Sequence, residues 1–145
     1  QLWRQNLARY NYFVGGFGDF YSEWHRKKCS DIGYIDIDSV PICINKPCWQ
    51  PLAVIETVYD TGKNHHKYTT VVEFIAKGLN IPCFLLYYKP IPDTDSLEFK
   101  VQRLYPLKNG LKGTLEPILE EEWYYVMLDL QIQHDKVCKH KVNRA

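Results

Sequence analysis

A chain of 145 residues has the size of one domain, and we expect residues 1–145 to fold as a single unit around one core. With 46% hydrophobic residues the composition excludes a disordered chain, and no apolar run reaches the roughly 18 residues of a membrane span. The formal net charge of +1 neither favours nor excludes nucleic acid as a partner, because a local basic strip can be hidden in a neutral total.

The cysteines favour a reducing compartment. There are five of them, an odd number scattered along the chain, which does not suit a disulfide framework. No signal-peptide pattern opens the chain either, so we expect a cytoplasmic protein.

Two helices are predicted before residue 30. Apolar residues recur at helical spacing over residues 1–14, which is typical of an amphipathic helix, and the glycines of residues 15–18 end it. A second helix begins after Asp19, a good N-cap, and its last turn carries three cations that could contact phosphate. These are Arg26, Lys27 and Lys28. The alternative is that they only complement the negative end of the helix dipole.

The next two predicted strands carry acidic residues where an apolar strand should be buried. In residues 33–40, Asp36 and Asp38 share one face, because side chains alternate along a strand. Residues 51–58 are apolar on both faces until Glu56. A carboxylate in such a place is costly unless something binds it.

A helix and a third strand complete this central segment. The spacing of Thr70 and Glu73 is that of a capping box and predicts the start of a helix, which Gly78 and Asn80 then stop. Its predicted inner side is formed by Val71, Val72, Ile75 and Leu79. Residues 81–88 are rich in aromatic and apolar residues and predict the third strand.

The C-terminal third is predicted to contain one strand and one helix. Residues 97–104 alternate apolar and polar side chains, so we expect a half-exposed strand. A helix is predicted from Thr114, with Pro117 in its first turn. Its predicted inner side is formed by Leu115, Leu119, Trp123, Val126 and Leu130. The whole order predicts an α/β (α+β) fold, a small mixed sheet flanked by helices.

Carboxylates on adjacent strands suit a hard divalent cation. Mg²⁺ typically takes one or two protein carboxylates and keeps waters for a substrate phosphate. Such an ion lowers the pKa of a bound water and stabilises the charge that develops on a phosphodiester. The alternative is that Asp36 and Asp38 lie at an exposed sheet edge and that Glu56 ends its strand at the surface.

Around these carboxylates the sequence resembles the PD-(D/E)XK nuclease superfamily, which has the restriction-endonuclease-like fold. That core is αβββαβ, with an Asp on its second strand and a Glu-x-Lys on its third. Here Asp36 matches the Asp, Asp38 points the same way, and Glu56 matches the Glu. The resemblance covers roughly residues 1 to 90 and implies a hydrolase that cuts nucleic acid, with DNA as the expected substrate. It also implies Mg²⁺ or Mn²⁺ held by Asp36, Asp38 and Glu56.

The chain departs from that pattern where the superfamily has its lysine, because Val58 stands there. The resemblance therefore implies either a protein without catalysis or a lysine from a neighbouring element. Lys67 is the preferred replacement and Lys63 the second. Both share a loop with His65 and His66, and either histidine could carry a proton instead.

The resemblance also implies a groove for nucleic acid near the strand ends. The cations expected along it are Arg26, Lys27, Lys28, Lys63 and Lys67. Nothing resembles a base-reading module, so a structure-selective or non-specific endonuclease is favoured over a site-specific one. The style of the sequence also resembles small phage-encoded proteins, which implies the cytoplasm of a bacterial or phage-infected cell. A homodimer is compatible with the sequence.

Two rival functions stay open. An inactive nuclease-like module could bind nucleic acid or protein, and Val58 favours it. A small zinc-stabilised adaptor is the other. Cys43 and Cys48 flank Pro47 in a predicted turn and could supply half of a structural zinc site. The remaining ligands would come from Cys29, His25, His65 or His66. The pattern favours ordinary buried or turn cysteines over zinc.

Overall fold

The computed structural model describes residue 24 and residues 27–31, 35, 37–63 and 67–141. The chain divides into two compact units, residues 1–36 and 37–145, and every strand and helix named below belongs to the second. In the first unit, Lys27 and Lys28 are helical and exposed, whereas the rest of the two predicted N-terminal helices lies almost wholly outside the described residues. The single domain stays a prediction.

The second unit is built on a four-stranded mixed sheet. Its strands are β1 (Val54–Tyr59), β2 (Cys83–Pro90), β3 (Leu97–Tyr105) and β4 (Glu116–Ile118), and they lie side by side in that order. β1 and β2 are parallel, and the other two pairs are antiparallel. A parallel pair needs a crossover, which contains helix α1 (Thr70–Leu79). Helix α2 (Glu120–Asp135) follows β4.

Each helix covers one face of the sheet. Val72 and Ala76 of α1 are fully buried and pack in a core cluster with Val54, Leu85 and Leu104. The residues of one strand alternate between the two faces, so Val54 and its neighbour Ile55 belong to different clusters.

On the opposite face, α2 inserts Trp123 into a cluster with Ile55, Leu86 and Phe99. The Trp123 ring meets the edge of Phe84 at a centroid distance of 5.6 Å. The expected mixed sheet flanked by helices is therefore confirmed, whereas the restriction-endonuclease-like core stays a prediction. Among the described helices, none is both long and apolar enough to cross a lipid bilayer.

Helix α1 lies where it was predicted but has a different buried side. Val71 is 47% exposed and Leu79 is 53% exposed, so the predicted inner side is wrong for these two residues. Apolar residues occur on more than one side of this helix, and the sheet takes the stripe with the small Ala76, which permits a close approach. The predicted capping box is wrong as well, because the N-cap is Thr69, whose Oγ1 donates to Glu73 Oε2 at 2.6 Å.

The start of α2 is also later than predicted. Pro117 lies in strand β4 instead of a first helical turn, where it pairs with Lys100 at the edge of the sheet. An edge strand tolerates proline because the missing N–H is not needed on the outer side. Leu119 is the N-cap and is exposed, and its N–H donates to Glu122 Oε1 at 3.0 Å.

The first of the two predicted acidic strands, residues 33–40, does not form a regular strand over its described residues. Ser39 exchanges two backbone hydrogen bonds with Ile55, at 3.1 and 2.9 Å, and forms an isolated antiparallel bridge. Pro41 has no N–H to continue a ladder, although its carbonyl accepts from Leu52 N at 2.7 Å. Residues 39–55 therefore form an irregular hairpin along the outer edge of β1, which we call the 39–55 hairpin. Asp36 lies outside the described residues.

Candidate functional site

Glu56 is a carboxylate in the middle of an apolar strand. It lies on the face of β1 that α1 covers, between Val54 and Val58, and it is only 2% exposed. The prediction that Glu56 is buried is therefore confirmed. Val58 packs against the same core cluster, so the position at which the superfamily has a lysine is occupied by an apolar contact.

Lys67 brings Asp38 and Glu56 together. Its Nζ lies 2.6 Å from Asp38 Oδ2 and 2.9 Å from Glu56 Oε2, and it donates to the carbonyl of Thr57 at 2.8 Å. Lys67 precedes α1 in the connection from β1, so its side chain reaches back over the strand end. We call Asp38, Glu56 and Lys67 the acidic site.

Asp38 also accepts hydrogen bonds from Thr57, on the edge of β1 that faces away from β2. Its Oδ2 accepts from Thr57 N at 2.8 Å and from Thr57 Oγ1 at 3.2 Å. The residue before the 39–55 hairpin is thereby fixed to the strand that carries Glu56. The side chains of Asp38 and Lys67 are about one third exposed, at 32% and 30%, so solvent reaches one side of the acidic site.

The two carboxyl groups differ in their acidity. Burial raises the pKa of Glu56, and the neighbouring Asp38 adds to the effect although Lys67 opposes it. For Asp38, burial is outweighed by hydrogen bonds from Lys67 and Thr57, and its pKa is lowered. The pKa of Lys67 is raised because the two carboxylates outweigh its desolvation. The acidic site therefore combines an ionised carboxylate, a cation and a carboxyl group that holds its proton more tightly than usual.

One oxygen of Glu56 lacks a protein partner. Its Oε1 is buried, and no donor within the described ranges reaches it. Buried charged oxygens in proteins are paired or bind metal, because an unpaired one costs about 1–3 kcal/mol or more. Glu56 Oε1 and the partly exposed Asp38 carboxylate are thus oxygen donors suited to a hard cation.

Lys63, the second candidate lysine, is not brought to the acidic site. Lys63 lies in an exposed turn after β1 and forms no ion pair with any carboxylate that the structure describes. Lys27 and Lys28 belong to the first unit. Four further predicted residues lie outside the described residues, namely Arg26, Asp36, His65 and His66.

A second cluster of side chains could hold a metal ion. Cys43 and Cys48 lie in the 39–55 hairpin, His134 lies in the last turn of α2, and Cys138 follows that helix. The Sγ atoms of Cys43 and Cys138 are 3.9 Å apart, and Cys48 Sγ lies 3.4 Å from His134 Nε2. All four donor atoms lie within 4.8 Å of one another. We call these four residues the Cys3His cluster.

Buried amides surround two of the sulfurs. Cys43 Sγ accepts from Asn45 N and from Gln131 Nε2, each at 3.4 Å. Cys138 Sγ accepts from Asn45 Nδ2 and from His140 N, also at 3.4 Å. Asn45 is 1% exposed and Gln131 is 7% exposed, so these donors are held within the fold.

These contacts change the acidity of the thiols. Burial favours the neutral form of Cys138, but hydrogen bonds from Asn45 and His140, together with the other thiols, outweigh it and lower its pKa to about 7. The N–H of Gln50 favours the Cys48 thiolate, yet burial and the neighbouring thiols raise the pKa of Cys48 overall. Several thiols crowded together resist ionising at once unless a cation neutralises them.

Of the ligands expected to complete a site with Cys43 and Cys48, His25, His65 and His66 lie outside the described residues. Cys29 is not part of the cluster, and the two remaining donors are His134 and Cys138. The signal was present in the sequence, because Cys-x4-Cys followed by His-x3-Cys is close to the usual spacing of paired zinc ligands. The pairing is not evident from the sequence because Cys48 and His134 are 86 positions apart in the chain.

No protein-family model, curated protein or solved structure matches this chain.

Proposed function

We propose that this protein is a divalent-metal-dependent nuclease whose chemistry is carried by Asp38, Glu56 and Lys67. The observation that carries the proposal is the position of Lys67 Nζ, which lies within 3 Å of both a buried and a half-exposed carboxylate. It supports the expectation that a lysine from a neighbouring element replaces the one missing at Val58.

The donor set fits Mg²⁺ or Mn²⁺. Glu56 Oε1 has no protein partner in the described chain, and Asp38 is accessible from solvent. Together these oxygens are a hard, anionic set of donors. A bound ion would polarise a phosphodiester and lower the pKa of a water bound to it.

The side chains of the acidic site have distinct roles in this proposal. Lys67 is protonated, and its ammonium group would orient the attacking water or balance negative charge on the phosphate. Glu56 would hold the ion through Oε1, while its Oε2 stays paired with Lys67. Asp38 stays ionised and holds Lys67 in place.

A purely structural ion pair is the main rival explanation of the acidic site. It accounts poorly for Glu56, because a buried ion pair often stabilises a fold less than apolar residues of the same volume. An apolar residue at position 56 would also leave no oxygen without a partner. The inactive nuclease-like module shares the same geometry and differs only in activity.

The nuclease proposal is tested by incubating the protein with linear, circular, single-stranded and branched DNA and with RNA. The divalent-free control uses buffer stripped on a chelating resin instead of EDTA, because EDTA would also remove metal from the Cys3His cluster. We expect cutting that requires Mg²⁺ or Mn²⁺ and is lost in Glu56→Gln, Asp38→Asn and Lys67→Met. The matched control is Lys112→Met, which breaks the Lys112–Glu73 ion pair at 2.8 Å.

Two results would reject the nuclease. One is no cutting of any substrate by a folded protein. The other is cutting that the three variants of the acidic site retain, since a contaminating nuclease would then explain it.

The zinc-stabilised adaptor is favoured by one specific observation, the Cys3His cluster. Its sulfur and imidazole donors are soft, whereas the acidic site offers only oxygen, so the two clusters suit different metals. A metal in the Cys3His cluster is compatible with a nuclease and does not require an adaptor. Metal binding by the Cys3His cluster is therefore independent of the nuclease activity.

A further inference from the structure

We propose that Cys43, Cys48, His134 and Cys138 bind one structural Zn²⁺, which fastens the 39–55 hairpin to the C-terminal end of α2. This metal site is independent of the proposed nuclease. The residues come from two segments that are far apart in the sequence, and none of them is needed for the chemistry of the acidic site.

Two of the six distances between donors match the edges of a zinc tetrahedron. With Zn–S bonds of about 2.3 Å and Zn–N bonds of about 2.0–2.1 Å, a tetrahedral site has S···S edges of about 3.8 Å and S···N edges of about 3.6 Å. The Cys43–Cys138 pair is separated by 3.9 Å and the Cys48–His134 pair by 3.4 Å. Both pairs are therefore within a few tenths of an ångström of the spacing that zinc needs.

The number and kind of donors also favour zinc in a structural role. Three sulfurs and one imidazole nitrogen fill a four-coordinate site and leave no position for a substrate, as is typical of structural zinc. Thiolate and imidazole are poor ligands for Mg²⁺ and good ones for Zn²⁺. The same four donors therefore discriminate against the ion proposed for the acidic site.

A second layer of hydrogen bonds holds the ligands in place. Asp135 Oδ1 accepts from Asn45 Nδ2 and from Gln131 Nε2, each at 2.8 Å, and these two amides also contact the sulfurs. Gln131 Oε1 in turn accepts from Ile44 N at 3.0 Å. Such outer partners orient metal ligands and stabilise thiolate charge.

The hairpin tip has little apolar packing to hold it. Its large apolar side chains Ile42, Ile44 and Trp49 are 46%, 60% and 49% exposed, so they contribute little to a core. Cys43, which is fully buried, points into the cluster instead. A metal would thus replace the apolar packing that this short segment lacks, as it does in small metal-stabilised domains.

The first test is metal content and cobalt spectroscopy of the full chain produced in zinc-supplemented medium. We expect one zinc per chain, and after exchange with Co²⁺ the visible bands of tetrahedral cobalt with thiolate charge transfer. Cys138→Ser should weaken zinc binding by more than about 100-fold, since even outer-layer changes cost about 10–100-fold. Cys29→Ser, which alters a cysteine outside the cluster, should bind zinc like the parent.

Because a ligand variant could fail to fold, His134→Cys provides a second measurement. It keeps four soft donors, so it should hold one zinc and shift the cobalt spectrum towards that of a four-thiolate site. The proposal is overturned if the parent contains no zinc and shows no thiolate–cobalt band. It is equally overturned if Cys138→Ser binds zinc as tightly as the parent. Neither readout involves nucleic acid, so failure here is distinct from failure of the nuclease.

Discussion

Replacing Lys67 by methionine tests the electrostatics of the acidic site directly. The variant keeps most of the side-chain volume but removes the ammonium group that contacts Asp38, Glu56 and the carbonyl of Thr57. Solvent can replace the lysine at Asp38, whose side chain is 32% exposed. It cannot do so at Glu56, whose side chain is 3% exposed, so the cost is concentrated there.

The magnitude follows from the hydrogen bond lost at Glu56 and depends on pH. Removing one partner of a fully buried pair costs about 3–5 kcal/mol, and a charged hydrogen bond contributes about 1.5–3 kcal/mol. We therefore expect Lys67→Met to lower the free energy of unfolding by about 2–3 kcal/mol at about pH 8. Glu56 can escape by binding a proton, which from its ordinary pKa of 4.5 costs about 5 kcal/mol at pH 8 but only about 0.7 kcal/mol at pH 5. The loss should therefore fall below about 1 kcal/mol at pH 5.

Urea denaturation followed by circular dichroism at both pH values measures these differences. Lys112→Met is the matched control, because its ion pair with Glu73 is more exposed and should contribute less than about 1 kcal/mol at either pH. The reasoning is refuted if Lys67→Met costs the same at both pH values. It is also refuted if the two lysine variants are equally destabilised at pH 8.

Three further predictions follow from the same contacts. Because the pKa of Glu56 is raised, the folded chain keeps a proton that the unfolded chain releases above pH 4.5. The parent should therefore lose stability relative to Glu56→Gln as the pH rises above 4.5. Parallel curves of unfolding free energy against pH would contradict this. Removing zinc with EDTA should speed amide hydrogen exchange at Cys43 and Leu52, which hydrogen-bond within the 39–55 hairpin, and spare the amides of β2; uniform loss of protection would contradict a local role. Trp123→Ala should cost about 3–5 kcal/mol in urea denaturation, against less than about 0.5 kcal/mol for the exposed Tyr124→Ala, and equal costs would show that α2 does not depend on its buried face.

Local patterns predicted most of the regular structure because their causes are local. The helix Thr70–Leu79 was predicted to within one or two residues, and the strands containing Glu56, Leu85 and Phe99 were placed within two or three residues. The start of α2 was misplaced because proline permits two outcomes there. Pro117 suits both a first helical turn and an edge strand, and only the neighbouring strand β3 decides between them.

The buried side of a helix was harder to predict than the helix itself. Val71, Val72, Ile75 and Leu79 are all apolar, and several stripes of the helix surface could be buried. The sheet selects the stripe of Val72 and Ala76 because their side chains fit between those of β1 and β2. That choice depends on how side chains that are distant in the sequence fit together, and the periodicity of the helix carries no information about this fit.

The sequence by itself indicated the residue types that form the acidic site. A glutamate inside an apolar strand, a nearby aspartate and a lysine in the following loop were identifiable by residue type, and the structure places Asp38, Glu56 and Lys67 in contact. Only the tertiary structure brought His134 and Cys138 to Cys43 and Cys48, because ligands from two distant segments meet through the packing of α2 against the sheet. The hydrophobic periodicity of a helix or strand depends on neighbouring residues, whereas the meeting of distant side chains depends on how the whole core packs.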